Sequence, residues 1–322
     1  MTAIKRQRLL VKVARLYYEQ ELTQSEIGRR LRLSRQKVQR LLHEARERDV
    51  VRISVRPVMG VYEQLEQALE QRYGLREAIV VETSAYLDQP AVMGEIGVGA
   101  ADYLARALRP GDALVMSWGG SLLGMIEALQ ASNSAGPAAN VTVVQGLGGL
   151  GDPTQETHAA DLTRRLAQIL GGQAVLLPAP GVAGSLAAAE AYSSDPFVAA
   201  ALERGAAAKL AFMGIGAPRR DSILMGQGTI VQWPELLELQ QRGAVGDINL
   251  RYFDGQGRLI PSELNDRVVG LTLDQIRSVD TVVGVAGGKA KLKAIQGALQ
   301  GKLIDVLVTD HKTAEMLVEE SL

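Results

Sequence analysis

The sequence predicts a two-part α/β protein: a small winged helix-turn-helix head, then a larger body built on a doubly wound parallel sheet. Three observations predict it. Residues 23–48 read as two short helices joined by a tight turn, the second of them basic. Charge and glycine content both change near residue 57. Beyond residue 76, short apolar runs alternate with Gly-rich turns and helical segments, the pattern of strands crossed over by helices.

The head begins with a helix expected from about Lys5 to Gln20, with Leu9, Leu10, Val13, Ala14, Leu16 and Tyr17 on a broad apolar face. Thr23 is placed to cap the next helix, and Glu26 three residues on completes a capping box. Ser34 caps the third. Along it Val38, Leu41, Leu42 and Ala45 fall at i, i+3, i+4 and i+7, a core-facing stripe. Opposite them lie Gln36, Gln39, Arg40 and His43. Gln and Arg make bidentate contacts to adenine and guanine edges in a major groove. Arg35, Gln36, Gln39 and Arg40 are therefore the candidate base readers, with Thr23, Ser34 and Lys37 at phosphates. The segment Val50–Val58 alternates apolar with basic residues. It reads either as a β-wing offering Arg52 and Arg56 to phosphates or as a plain connecting strand.

Charge supports a polyanionic partner for the head. Residues 1–57 carry fifteen Lys and Arg against six Asp and Glu, a net of +9. Residues 58–322 carry twenty against thirty, a net of −10, so the overall −1 hides a strong separation. Binding by such a head should weaken steeply with salt. Symmetric half-sites on duplex DNA require two heads, which predicts a homodimer at least and allows a homotetramer.

We divide the chain into residues 1–57 as DNA-binding head, 58–75 as linker helix and 76–322 as ligand-binding and oligomerisation body. The linker (VYEQLEQALEQRY, residues 61–73) carries Val61, Leu65, Ala68, Leu69 and Tyr73 on one side. It can pair with its counterpart in a second subunit or dock on its own body.

Of the 34 glycines only Gly28 lies in the head. The body's apolar runs are AIVVE (78–82), ALVMS (113–117), VTVVQ (141–145), QAVLL (173–177), KLAFM (209–213), TVVGVA (281–286) and IDVLVT (304–309). Near-continuous apolar character fits strands buried on both faces. Ligands in such sheets sit beyond the carboxyl ends of strands. Three turns qualify: SWGGS (117–121), QGLGGLGD (145–152) and AGGKAKLK (286–293). Each can approach an anion through backbone N–H groups at a helix start, or can simply answer to backbone geometry. Together they point to a phosphate-bearing ligand.

Several classes drop out. There is no Cys, which excludes disulfides and thiolate chemistry, and the three His (43, 158 and 311) are scattered, so no metal site is expected. No turn reads GxxxxGK[ST], and GLGGLG lacks the acidic residue that a dinucleotide site needs after the next strand. No cofactor is expected. No apolar run is long enough to span a membrane and the N-terminus lacks a signal-peptide core, so a cytoplasmic protein without a membrane partner is expected.

In chain order, LTQSEIGRRLRLSRQKVQRLLHEARERDVVRISV, SWGGS, GGLG, LPAP, MGIGAP, GAVGDI, NDRVVGL and VAGGKAK resemble the SorC family of bacterial sugar-responsive transcription regulators across essentially the whole chain. The resemblance implies a body related to sugar-phosphate isomerases and deaminases, sensing a phosphorylated sugar or polyol without turnover. It implies double-stranded operator DNA as partner and no catalytic residue. It places Trp118, Gly119, Gly120 and Ser121 at a first phosphate-proximal loop and Gly148 and Gly149 at a second. Ala217 would line the pocket, Asp247 would accept from effector hydroxyls, and Lys291 would meet the phosphate or a carbonyl. Read without the resemblance, Asp247 also suits a turn or cap and Trp118 a core position. The sequence departs from the family at Gly146, where a larger residue is usual. It departs again in GVAGSLAAAEA, which is small and nearly uncharged where relatives carry bulkier and acidic side chains. The competing class is a sugar-phosphate isomerase or deaminase with an appended DNA-binding head, using Asp247 and Lys291 as acid and base.

Overall fold

The structure is a computed structural model that describes residues 3–48, 50–51, 62–83, 89–132, 140–149, 159–220 and 231–319. The wing reading, with Arg52 and Arg56, lies outside these residues, as do His158 and the Gly151–Asp152 end of the second turn. The chain falls into two compact units, Met1–Val58 and Met59–Leu322.

In the first unit, α1 (Ala3–Tyr18), α2 (Gln24–Leu31) and α3 (Arg35–Glu47) enclose one apolar cluster. Leu10, Val13, Ala14, Leu16, Ile27, Val38, Leu41, Leu42 and Ala45 are its buried members. The expected capping box is present. The Glu26 carboxylate accepts from the Thr23 backbone N–H at 2.8 Å and from its hydroxyl at 2.6 Å, and Thr23 Oγ1 accepts from Glu26 N–H at 3.3 Å. These bonds hold the Glu26 carboxyl below its ordinary range. Ser34 Oγ accepts from Lys37 N–H at 3.2 Å, starting α3. Arg6 and Arg48 both grip Glu44 at 2.9 Å, tying α1 to α3.

The single glycine of the head has a packing cause. A Cβ at Gly28 would lie 2.6 Å from the Leu33 carbonyl oxygen, because the turn folds back tightly enough for Leu33 N–H to reach Gly28 O at 2.8 Å. Gly28→Ala is expected to cost the head about 1–3 kcal/mol through a forced backbone shift. Urea unfolding followed through the helical signal measures it, and an unchanged midpoint would contradict the packing account.

All seven apolar runs form strands: β1 (Glu77–Val81), β2 (Ala113–Met116), β3 (Thr142–Gln145), β4 (Gln173–Val175), β5 (Leu210–Gly214), and two later ones. Those are β8 (Thr281–Val285) and β9 (Val306–Asp310), numbered after a hairpin made of β6 (Gly246–Ile248) and β7 (Arg251–Phe253). The seven pair in parallel in the order β1-β9-β8-β5-β2-β3-β4. Both faces are covered, which explains runs without polar alternation. Val115, Ala211, Met213 and Leu307 face one cluster, against helices Pro196–Ala206, Leu292–Gln300 and His311–Glu319. Their neighbours Leu114, Met116, Phe212 and Val308 face the other, against helices Gln89–Ala107, Gly120–Ser132 and Ala159–Ile169.

The helix expected to link head and body, α4 (Glu63–Tyr73), packs in the second unit. Leu69 is fully buried in the body's core, with Leu65 and Tyr73 against it. This packing is the docked arrangement, one of the two readings open from sequence.

No local sequence signal marks the hairpin. Its turn is Asn249–Leu250, with φ of +53° and +59°, and the signal for two positive φ values is normally Asn-Gly. Leucine hides it. What stabilises the turn is tertiary: Leu250 and Tyr252 are fully buried with Leu147, Leu236 and Leu264 in a third cluster above the sheet.

Candidate functional site

On the head, the apolar stripe of α3 faces inward and leaves Arg35, Gln36, Lys37, Gln39 and Arg40 exposed on the opposite side. None of these five side chains makes a hydrogen bond or ion pair with another described residue, Lys37 acting on Glu44 only through its field, so a row of donors stands free over the first two turns of the helix. Ser34 Oγ caps by accepting from Lys37 N–H, and its hydroxyl donates to no described residue. Thr23 differs: its hydroxyl donates to Glu26 and accepts from Glu26 N–H. Thr23 is thus engaged in the capping box, unlike the free side chains of α3.

On the body, chain direction changes beside β2. From β2 the chain continues to β3 on one side, whereas from β5, the opposite neighbour of β2, it continues to β8 on the other. In sheets of this kind, diverging connections leave a crevice at the carboxyl ends of the two strands, here β2 and β5, and ligands bind there. Ser117–Ser121 follows β2 and Ile215–Pro218 follows β5, so both loops border it.

In the first loop Gly119 has φ of +125°, and helix Gly120–Ser132 starts directly after it. Gly119 O accepts from Leu122 and Leu123 N–H. The N–H groups of Gly120 and Ser121 have no partner among the described residues, as expected for a helix start. Ser121 is 3% exposed and its Oγ is unpartnered. A buried hydroxyl without a hydrogen bond costs about 1–3 kcal/mol, a cost that a bound acceptor would remove. Trp118 is half-buried against both the sheet cluster and the hairpin cluster, so its packing role is established by contact.

The second loop is packed tightly. Gly148 N–H donates to Val269 O at 3.0 Å and Gly149 N–H to Ala179 O at 2.9 Å. A Cβ on Gly148 would lie 2.6 Å from Ala179 O. These glycines exist to let the 146–149 turn pack on the Leu177–Pro180 segment. Their N–H groups are engaged within the fold, so a place for Gly148 and Gly149 near a phosphate would rest on close backbone approach rather than on donation from these two amides.

Asp247 and Lys291 come together from distant turns. Asp247 is 4% exposed, bridges Gly216 in both backbone directions, and accepts from Leu250 N–H at 3.1 Å. Gly216 must be glycine, since a Cβ there would sit 2.0 Å from Asp247 Oδ1. Ala217, half-buried, follows directly. Burial pushes the Asp247 carboxyl up to about 6, opposed by the Leu250 bond and by Lys291. Burial likewise pushes the Lys291 ammonium below its ordinary value, opposed by Asp247. The two charges sense each other, yet no ion pair or hydrogen bond joins them. Lys289 and Lys293 are exposed. Only Lys291 of the three faces Asp247's field.

Two residues that the sequence did not single out hold the crevice together. Asn249 is 1% exposed; its Oδ1 accepts from Ser117 Oγ and its Nδ2 donates to Gly146 O at 3.0 Å. One amide thus clamps the loops after β2 and β3 to the hairpin. Arg251 donates to the carbonyls of Asn265, Val268 and Gly270, and burial lowers its pKa to about 10. Asn265 itself accepts from Tyr252 N–H and donates to the carbonyls of Tyr252 and Ile260, so its side chain is structural. Among the described residues no group of three His, Cys, Asp or Glu is arranged to hold a metal ion, and no helix is long and apolar enough to cross a membrane.

A helix-turn-helix with a free polar face, in one chain with a doubly wound body open at its switch point, defines a DNA-binding transcription regulator with a small-molecule domain. Residues 60–319 match the family described as "Putative sugar-binding domain", and residues 6–48 match "Sigma-70, region 4". The chain is 32% identical over 316 residues to the deoxyribonucleoside regulator of Bacillus subtilis (strain 168), covering 98% of this chain and 99% of that one. It is 30% identical over 315 residues to the sorbitol operon regulator of Klebsiella pneumoniae, covering 97% and 98%. The solved full-length sorbitol operon regulator SorC from Klebsiella pneumoniae superposes with a TM-score of 0.70 at 28% identity, covering 99% of this chain and all of that one. The chain belongs to the SorC family of transcriptional regulators.

Proposed function

We propose that this regulator binds operator DNA through α3 and that a phosphorylated sugar or polyol in the switch-point crevice sets how tightly. The observation that carries this is the uncontacted pair Asp247 and Lys291. A carboxylate and an ammonium, both desolvated and not joined to each other, suit a ligand offering hydroxyls to one and an anion or carbonyl to the other. Ser121 Oγ and the free N–H groups of the Gly120 helix supply further donors for a phosphate. Trp118 and Ala217 border the same crevice.

The reading has no chemical turnover in it. Among the described residues Asp247 has no second carboxylate beside it for paired acid–base work, and the named relatives are regulators. Two heads on a palindromic operator call for a homodimer or a homotetramer in the cytoplasm.

Thermal unfolding across ribose, deoxyribose, glucosamine and fructose phosphates and sorbitol phosphate tests the site, since a ligand stabilises according to its affinity. At a hundredfold excess over Kd the gain is about 2.7 kcal/mol. At least one member should raise the melting temperature and change operator affinity, with no product formed. Product release at enzymatic rates would replace the sensor reading with the isomerase or deaminase one.

A further inference from the structure

The middle and carboxyl end of α4 are fastened to the body by side chains. Glu66 and Glu70 accept from Val80 and Ala78 N–H on the outer edge of β1, at 2.9 and 3.0 Å. Arg72 donates to Val318 O at 2.7 Å and Tyr73 to Leu317 O at 3.1 Å. The amino end is held differently. Tyr62, at the N-cap position, makes no side-chain cap bond, in contrast to Thr23 and Ser34 in the head. Its ring instead lies stacked on His311, with centroids 5.2 Å apart and planes 13° apart. A helix start without a cap lacks about 1 kcal/mol of stabilisation, so this first turn is the element of α4 most easily wound or unwound.

His311 opens the last helix and stands directly after Asp310 at the end of β9. Asp310 is 2% exposed and accepts from Gly288 N–H at 2.8 Å, Thr313 N–H at 2.9 Å and Thr313 Oγ1 at 2.6 Å. Gly288 belongs to the loop that presents Lys291. The fit there is tight, because a Cβ on Gly287 would lie 2.2 Å from Asp310 Oδ2. Thr83 N–H donates to His311 Nδ1 at 3.2 Å, pinning the ring from the β1 side. A continuous set of contacts therefore runs from the Lys291 loop through Asp310 and His311 to Tyr62. Beyond Tyr62 the chain leads back, through residues 52–61, to the head.

We propose that Asp310, His311 and Tyr62 are positioning residues that couple occupancy of the Lys291 loop to the winding of the first turn of α4. This rests on the effector reading above. A ligand drawing on Lys291 shifts Gly287 and Gly288, and the close contact leaves Asp310 no room to stay behind. Packed contacts of this kind switch between discrete arrangements rather than deform smoothly. Tyr62 then follows or leaves the His311 ring, and the turn closed by Glu66 N–H to Tyr62 O at 3.0 Å winds or opens.

Two measurements on the full chain test the relay. The first is the ratio of operator affinities with and without a saturating member of the sugar-phosphate panel. The parent protein should show a ratio of about 5–150-fold. Tyr62→Ala should bring it to within about twofold of unity while thermal stabilisation by the same sugar phosphate stays as in the parent. Tyr62→Phe, which keeps the ring, should retain the parent ratio. A parent-like ratio in Tyr62→Ala overturns the relay, because a merely structural role would lower stability and leave the ratio intact. The second measurement needs no ligand. Hydrogen exchange at the Glu66 amide should speed by about tenfold or more in Asp310→Asn, and likewise in His311→Ala if the first variant folds poorly. Unchanged exchange overturns the relay even where no sugar phosphate binds, the outcome that would instead defeat the effector reading.

Discussion

Asp247→Asn should stabilise the ligand-free protein by roughly 3 kcal/mol at about pH 8 and abolish its response to sugar phosphates. The first effect follows from burial. Unfolded, an aspartate titrates at 3.8; folded, Asp247 titrates at about 6. Between those values the folded chain holds a proton that the unfolded chain has released, so stability falls as pH rises through the window. Above about 6 the whole cost of the buried charge is present, and below 3.8 none of it is. Asparagine keeps an acceptor for Leu250 N–H and cannot ionise, so its profile should be flat across this window. The second effect follows from the site: effector hydroxyls donate best to a carboxylate, so parental affinity should rise as pH passes about 6. Urea unfolding between about pH 4 and pH 8 reads the first effect, and thermal shift on the panel reads the second. Parallel pH profiles for parent and variant would mean that the Asp247 carboxyl is not held in the desolvated state described above.

Arg40→Ala and Lys37→Ala should weaken DNA binding in two distinguishable ways. Arg40 stands free on the outer face of α3, with a fork that fits a guanine edge. Its removal should cost about 1–3 kcal/mol on the operator, relax preference at one base position, and leave binding to unrelated DNA nearly unchanged. Lys37, beside the Ser34 cap, should act on phosphate alone. Its removal should weaken operator and random duplex alike and lower the slope of log affinity against log salt by about 1. Fluorescence anisotropy on both duplexes over a range of salt concentrations separates the cases. Equal losses on both duplexes for Arg40→Ala would take base reading away from that face.

Much of the fold was legible because its causes are local or periodic. The Thr23 and Ser34 caps involve residues three apart, and the α3 stripe repeats at helical spacing. The strands of the body could be found as apolar runs because helices cover both sheet faces. Legibility failed where the cause is distant. The Asn249–Leu250 turn carries no glycine, since its unusual φ values are enforced by burial of Leu250 and Tyr252 rather than by backbone freedom. The three Gly-rich turns looked alike in sequence. In space one presents a helix start with an orphaned serine, one is spent on packing, and one is tied to Asp310.

By itself the sequence determined that a cationic helix-turn-helix precedes an acidic α/β body, and which residues of α3 stay outside. Capping geometry, side-chain periodicity and charge all act within a few residues of their cause. Only the tertiary structure decided that Asp247 faces Lys291, that Asn249 clamps two loops, and that Tyr62 rests on His311. Those meetings depend on the order in which seven strands pair. Strand order is settled by contacts between segments far apart in the chain, for which no local pattern of residues is a sign.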